Sequence, residues 1–208
     1  MHQTRSEVTK KLPIPRKGTK YVARPLSDIK NSVTIVAAVR DMLHLARTAR
    51  EVQEMIKQKL LKINGRIVKD YRDSIRLFNI LEAGNNYVLA LTRNGRFTLE
   101  EAKNPSERLC KVINKKILKK QKVQINLHDN SNIIADNKIQ IGDSLYLDLS
   151  GKIKRTVQMK EGKDCIIISG KYIGFTGRIN SVVNNKVEIK LKEKDALVEL
   201  EKRSIVTI

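Results

Sequence analysis

The chain has 208 residues, with 42 lysines and arginines against 22 aspartates and glutamates, giving a formal net charge of +20 and a pI near 10.1. Such a surplus is self-repulsive unless a polyanion neutralises it, which makes nucleic acid the first partner to consider. No apolar run approaches the ~20 residues that cross a bilayer, and Cys110 and Cys165 have no CxxC neighbour, so a four-cysteine zinc site and a disulfide framework are excluded.

Met1 to Lys20 lacks an apolar signal core, and a cytoplasmic protein is expected. Through residue 31 the chain carries Arg5, Lys10, Lys11, Arg16, Lys17, Lys20 and Arg24 against Glu7, punctuated by Pro13, Pro15 and Pro25. Prolines at that spacing forbid a helix. The segment reads as an extended basic arm, either disordered alone or ordered by phosphate contacts on RNA.

From Ser32 to Ile80 the pattern predicts two helices and a tight hairpin. Ile35, Val36, Val39, Met42 and Leu43 recur at helical spacing, with Ser32 as cap and Arg40 and Asp41 on the polar side. Thr48-Ala49-Arg50-Glu51 has capping-box spacing and opens a second helix with a buried stripe of Ala49, Val52, Ile56 and Leu60. Arg50, Gln53 and Lys57 share a different face, available to a polyanion. Asn64-Gly65 then predicts a two-residue hairpin between Leu61-Lys62-Ile63 and Arg66-Ile67-Val68, flanked by Lys62, Arg66 and Lys69. With Arg47 at the edge, Arg50, Lys57, Lys62 and Arg66 are expected to form one continuous surface.

Arg40-Asp41, Leu43, Leu45-Ala46, Ala49-Arg50-Glu51, Ile56, Ile63-Asn64-Gly65-Arg66 and Asp70-Tyr71 together resemble the RNA-binding domain named after ribosomal protein S4. More narrowly, the chain is similar to the archaeal and eukaryotic S4e family of small-subunit ribosomal proteins. His2, Arg5, Arg16-Lys17, Lys20-Tyr21 and Arg24-Pro25 match its N-terminal pattern, with Thr9 and Leu12 where members often carry Pro and Trp. Ala49 occupies the place where many members of the wider domain have Arg, the cation here being Arg50. His44 and Lys59 stand where the family usually has helix-ending glycines, so those ends need another cap or a left-handed residue.

Downstream, Tyr87 to Leu91 and Arg96 to Leu99 read as a hairpin about Asn94-Gly95, followed by a short polar helix around Glu100 to Lys103. Alternating runs at 109–113, 123–127, 133–134, 139–141 and 145–149, with turns at Asp129-Asn130, Asp136-Asn137 and Gly142-Asp143, predict a small all-β domain. Lys103, Arg108, Lys111, Lys115, Lys116, Lys119, Lys120 and Lys122 form a dense basic run, read either as a solvated face or as a continuation of the upstream binding charge. The family resemblance continues through Leu109-Cys110-Lys111-Val112, Gln124 to Asp129 and Gly142 to Leu145. From about Lys160, Ile166 to Ile168, the glycines at 170, 174 and 177, and alternating Val187 to Leu191 resemble a KOW motif in an SH3-like barrel, with Lys171, Tyr172 and Arg178 as candidate RNA contacts.

The fold class is therefore α+β multidomain. It comprises a basic extension (1–31), a helical-hairpin-plus-β RNA-binding domain (32–104), a central all-β domain (105–159) and a KOW barrel (160–208). His2, His44 and His128 are scattered, and no phosphate loop or dinucleotide fingerprint occurs, so no catalytic site, metal, cofactor or small-molecule substrate is expected. His128 reads as a structural hydrogen-bonding group. With three Phe, five Tyr and no Trp, recognition should rest on phosphates and helix shape, not on a stacking groove. The candidate RNA contacts are Arg16, Lys17, Lys20, Arg24, Arg40, Arg47, Arg50, Lys57, Lys62, Arg66, Lys69, Lys115, Lys116, Lys119, Lys171, Tyr172 and Arg178. The resemblance implies small-subunit ribosomal RNA and neighbouring ribosomal proteins as partners. The alternative is a free RNA chaperone or elongation-type factor using the same modules.

Overall fold

Alternating apolar strands dominate the sequence, and the computed structural model is accordingly mostly β; it describes residues 2–118, 122–135, 137–193 and 196–208. The chain divides into two compact units, Met1–Ser106 and Glu107–Ile208.

In the first unit the N-terminal segment is not an extended arm. Strands β1 (His2–Thr4) and β2 (Tyr21–Ala23) pair antiparallel, and Leu12 and Ala23 pack against the unit's core. The Phe97 amide donates to the Lys11 carbonyl at 2.7 Å. Arg5 holds the intervening loop, its guanidinium donating to the Thr19 carbonyl, the Pro15 carbonyl and Thr19 Oγ1. Apolar anchors and one internally spent cation fold a segment whose charge and prolines alone suggested an open tail.

The first expected helix lies at residues 35–42, where it was expected, but it starts after Ser32 and is mostly wound as a π-helix. Ser32–Thr34 forms β3, paired with β6 (Ser74–Arg76), and the Ser32 hydroxyl donates to the Ser27 and Asp28 carbonyls instead of capping a helix. Ala37–Met42 is then wound as a π-helix, with the Leu43 amide bonded to the Ala38 carbonyl at 2.9 Å. Thr34 Oγ1 accepts from the Ala37 amide at 3.3 Å. Val33 and residues 35–39 are all buried, so the apolar run carries no face information that separates strand from helix. A helical hairpin of two regular helices is thus replaced by one π-turn and one α-helix, α1 (Ala49–Lys57).

Thr48 caps α1 through the Glu51 amide, but the Glu51 carboxylate accepts from the Arg47 amide at 2.7 Å, one residue earlier than a standard capping box. Val52 is fully buried, Ala49, Met55 and Ile56 are partly buried, and Leu60, expected in the stripe, is 53% exposed. Helix α1 ends before Leu60 because Lys59 turns left-handed at φ 59°; His44 does the same at φ 55°.

The hairpin forms as its sequence demands: Asn64 and Gly65 both have positive φ between β4 (Leu61–Ile63) and β5 (Arg66–Ile67). These strands join β7 (Ile80–Ala83), β8 (Asn85–Leu91) and β9 (Phe97–Glu101) in an antiparallel sheet of order β5-β4-β7-β8-β9. Glu100 and Glu101, expected to start a helix, extend β9 opposite Val88 and Tyr87. A four-residue polar stretch cannot repay helix nucleation when a ladder is already in place.

The second unit holds two five-stranded sheets. The first has order β12-β11-β10-β13-β14, from β10 (Glu107–Ile117), β11 (Val123–Leu127), β12 (Asn132–Ala135), β13 (Ser144–Asp148) and β14 (Ile153–Val157). The run 139–141 is not a strand. Asp143 Oδ2 accepts from the Gln140 amide at 2.9 Å and closes a turn, which leaves Ile139 buried and Ile141 57% exposed. The turn expected at Asp136-Asn137 lies partly outside the described residues.

The second sheet has order β18-β17-β16-β15-β19, from β15 (Asp164–Ile167), β16 (Thr176–Val183), β17 (Lys186–Leu191), β18 (Leu197–Glu201) and β19 (Ile205–Thr207). Its two edge strands are joined only by the 3-10 turn Lys202–Ser204. Three intervening residues reach about 14 Å, whereas four flat strand spacings need about 19 Å, so the sheet must curl on itself. Gly177 permits this close packing: a Cβ there would lie 2.4 Å from Ile189 Cγ2 and 2.8 Å from the Lys190 carbonyl.

Candidate nucleic-acid interface

The Thr48 cap and the αL residue Lys59 fix the two ends of α1, and with them the face it turns outward. Arg50, Glu54 and Lys57 follow at helical spacing on that face, all exposed. Lys57 is not a bare cation, since its Nζ meets Glu54 at 3.3 Å, although a pair this exposed contributes little and is readily exchanged. Arg47 and Arg50 make no side-chain hydrogen bond or ion pair among the described residues. Nor do Arg66, in the hairpin's second strand, and Lys69, just after it, both exposed.

The register of that hairpin divides the expected surface. Lys62 stands opposite Ile67, and Arg66 opposite Ile63. Opposed residues share a face, so Lys62 and Arg66 leave opposite sides of the ribbon. Arg66 is on the side of Leu61 and Ile63, whereas Lys62 lies in the row with Glu82 and pairs with its carboxylate at 3.0 Å. The continuous surface therefore loses Lys62.

Other predicted cations are also committed within the fold. Arg40 binds both oxygens of Asp41, at 2.7 and 2.9 Å, and this carboxylate holds the guanidinium above its usual pKa. Arg16, Lys17 and Lys20 are exposed on the loop that Arg5 organises, with Lys20 Nζ 5.4 Å from the Tyr21 ring centre. Arg24 is half-buried beside the buried Pro25.

In the second unit Lys115 Nζ donates to the Asn137 carbonyl at 2.9 Å, Lys116 is exposed, and Lys119 lies outside the described residues. Lys171 sits 5.8 Å from the ring centre of Tyr172, which meets Phe175 edge-on at 6.4 Å. Arg178 Nε donates to the Gly162 carbonyl at 2.8 Å.

Two members of the dense basic run are not on the surface at all. Arg108 is buried and paired with Asp129. Lys111 is 4% exposed, its Nζ donating to the carbonyls of Lys202, at 2.6 Å, and Ile205, and burial pushes its pKa down to about 8. With the 2.7 Å contact between the Ser144 and Thr207 hydroxyls, Lys111 fastens the two sheets of the second unit together. Strand alternation with Cys110 and Val112 turns Lys111 to the opposite face, so nothing local in the sequence announced its burial, which comes from carbonyls about 90 residues further along the chain. His128 is structural as expected: its Nδ1 accepts from the Lys111 amide at 3.1 Å. Both cysteines are buried, which pushes Cys110 up to about 11 and Cys165 up to about 12. These thiols are unsuited to nucleophilic work at neutral pH.

Among the described residues there is no group of three or more His, Cys, Asp or Glu side chains able to hold a metal, and no helix long and apolar enough to cross a membrane. What the surface offers instead is cationic side chains presented on rigid elements.

Comparison with known proteins agrees with this arrangement. The profile described as Ribosomal family S4e matches residues 83–163, and that of the S4 domain matches residues 41–79. The small ribosomal subunit protein eS4 of Archaeoglobus fulgidus is 31% identical over 214 residues, covering 100% of this chain and 90% of the relative. The protein of the same name from Methanospirillum hungatei is 32% identical over 191 residues, covering 86% of this chain and 78% of the relative. The crystal structure of the 30S ribosomal protein S4e from Thermoplasma acidophilum superposes with a TM-score of 0.73 at 25% identity, covering 86% of this chain and 95% of that one. Sequence, profile and fold thus converge, and the chain belongs to the ribosomal S4e family.

Proposed function

We propose that this chain is a constituent of the small ribosomal subunit, in the cytoplasm, where it binds and stabilises folded ribosomal RNA beside neighbouring ribosomal proteins. The carrying observation is that Arg47 and Arg50, at the start of a capped helix, and Arg66, in a tight hairpin, make no side-chain hydrogen bond or ion pair among the described residues, in a chain of net charge +20. Such cations neutralise phosphates and release condensed counterions, a sequence-independent source of affinity. Names of the relatives, all small ribosomal subunit proteins, support the same assignment.

The segments 1–31, 32–104, 105–159 and 160–208 would act as successive docking modules, each raising the effective concentration of the next on a long RNA. We assign the curled sheet of residues 160–208 to the KOW type, with Lys171, Tyr172 and the outer nitrogens of Arg178 as its RNA-facing groups. Of the central module's candidate contacts, Lys116 is exposed and makes no side-chain bond among the described residues, whereas Lys115 is bonded to Asn137.

Subunit fractionation tests this directly. The chain is expected to co-sediment with small subunits through a high-salt wash. Recovery only in the free pool would overturn the assignment and favour a free RNA-binding factor.

A further inference from the structure

The first unit contains a cleft of about 630 Å³ that the phosphate-binding account leaves unused. One wall is the N-terminal segment, through His2, Arg5, Lys17 and Tyr21, and the other is the helical region, through Arg40, Asp41 and Arg47. Tyr71, Val22, Ala23, Val36 and Ala49 complete it. Its volume falls in the range of small-ligand sites, ~300–1,000 Å³.

Its chemistry is divided in a way that plain phosphate contact does not require. The Arg40 fork is spent on Asp41, and the Arg5 fork on Thr19 and Pro15. The cations left to meet an anion there are Lys17 and Arg47, both exposed and without a side-chain partner among the described residues. Apart from Thr19, which is bonded to Arg5, the remaining lining is aromatic and aliphatic. Two of the chain's five tyrosines border this one cleft. Tyr21 is 49% exposed, with the His2 ring 4.2 Å away, centre to centre. Tyr71, by contrast, is partly buried against the core, with the Arg72 guanidinium 5.6 Å from its ring centre. A ligand that satisfies both halves carries a negative charge and a flat, weakly polar body.

We infer that this cleft seats one unstacked nucleotide of the bound RNA, its phosphate at Lys17 and Arg47 and its base against Tyr21. This rests on the RNA-binding reading above and adds a recognition element to it. Phosphate contacts position the protein on any duplex, whereas a seated base requires an unpaired position, such as a bulge or loop. The protein would thereby distinguish interrupted helices from continuous ones with a single aromatic site.

The test uses the intact chain and two RNAs: a short perfect duplex, and the same duplex with one unpaired 2-aminopurine. The wild-type chain is expected to prefer the bulged RNA about tenfold, consistent with stacking of one base on one side chain, and to quench the 2-aminopurine. Tyr21→Ala should bring the preference close to one, while Tyr21→Phe, which keeps the ring, should retain it. Equal affinity for both RNAs in the wild type overturns the inference, as does a preference that survives Tyr21→Ala. If Tyr21→Ala does not fold, the wild-type fluorescence decides: unchanged emission on saturation overturns the inference. Duplex binding without preference removes only the cleft, whereas failure to bind either RNA removes the underlying reading.

Discussion

Replacing Lys111 by Met removes a charge that the fold has taken almost entirely out of water, and its effect should depend on pH in a distinctive way. Burial lowers the ammonium from 10.5 to about 8, while its two carbonyl acceptors pull in the other direction. Between those two values the unfolded chain binds more protons at this site than the folded chain, so Lys111 makes stability rise with pH there. Each unit of difference is worth about 1.4 kcal/mol, giving a rise on the order of 3 kcal/mol from pH 8 to 10.5. In Lys111→Met that contribution is absent. At neutral pH two terms oppose: relief of the buried charge, and the loss of a donor to two carbonyls at ~1–3 kcal/mol for each group left unpaired. The slope is therefore the diagnostic, not the level. Urea unfolding of both proteins at several values from pH 7 to 10.5 gives the difference directly, and tyrosine and surface lysine titrations cancel in it. Parallel stability curves would refute the reasoning, because a solvent-exposed or mobile Lys111 predicts no difference in slope.

Three further outcomes follow from local geometry. Thr48→Ala should cost roughly 1 kcal/mol in denaturant unfolding by removing the acceptor of the Glu51 amide, while leaving the salt dependence of RNA binding intact. Gly177→Ala should destabilise the last sheet by a few kcal/mol, on the order of other overpacking changes, since its methyl would meet Ile189 and the Lys190 carbonyl; an unchanged melt would mean that the strands part there easily. Lys62→Ala, whose cation is turned to Glu82, should alter RNA affinity less than Arg66→Ala in parallel filter-binding titrations; equal losses would put both on the RNA.

Much of the strand pattern was legible because period-two alternation and turn chemistry agree. Asn64-Gly65 dictates its hairpin through the positive φ that both residues accept. The family was legible for a related reason, since motifs such as Ile63-Asn64-Gly65-Arg66 join local geometry to surface charge. The first helix was legible in place but not in its start or its π winding, because residues 35–39 are buried on every side and a segment without a solvent face has no readable period. Strand β14 was missed because Ile153 to Thr156 are exposed, so nothing apolar announces it. Charge misled in two directions: it concealed the burial of Arg108 and Lys111, and it obscured the folding of the N-terminal segment around Arg5. Whether a cation faces solvent, a carboxylate or a carbonyl depends on partners distant in sequence, as Lys111 and Lys202 show.

The central claim is that the exposed cations of α1 and its hairpin lie along an RNA backbone. The most direct measurement is the slope of log affinity against log salt for small-subunit ribosomal RNA, compared between the wild-type chain and a folded Arg47→Ala/Arg50→Ala/Arg66→Ala variant. Each phosphate contact contributes about 0.7–0.9 to that slope, so the triple variant should be shallower by about 2 to 3 and weaker on every structured RNA tested. An unchanged slope and affinity in the folded variant would contradict the account and move the RNA-binding face elsewhere on the chain.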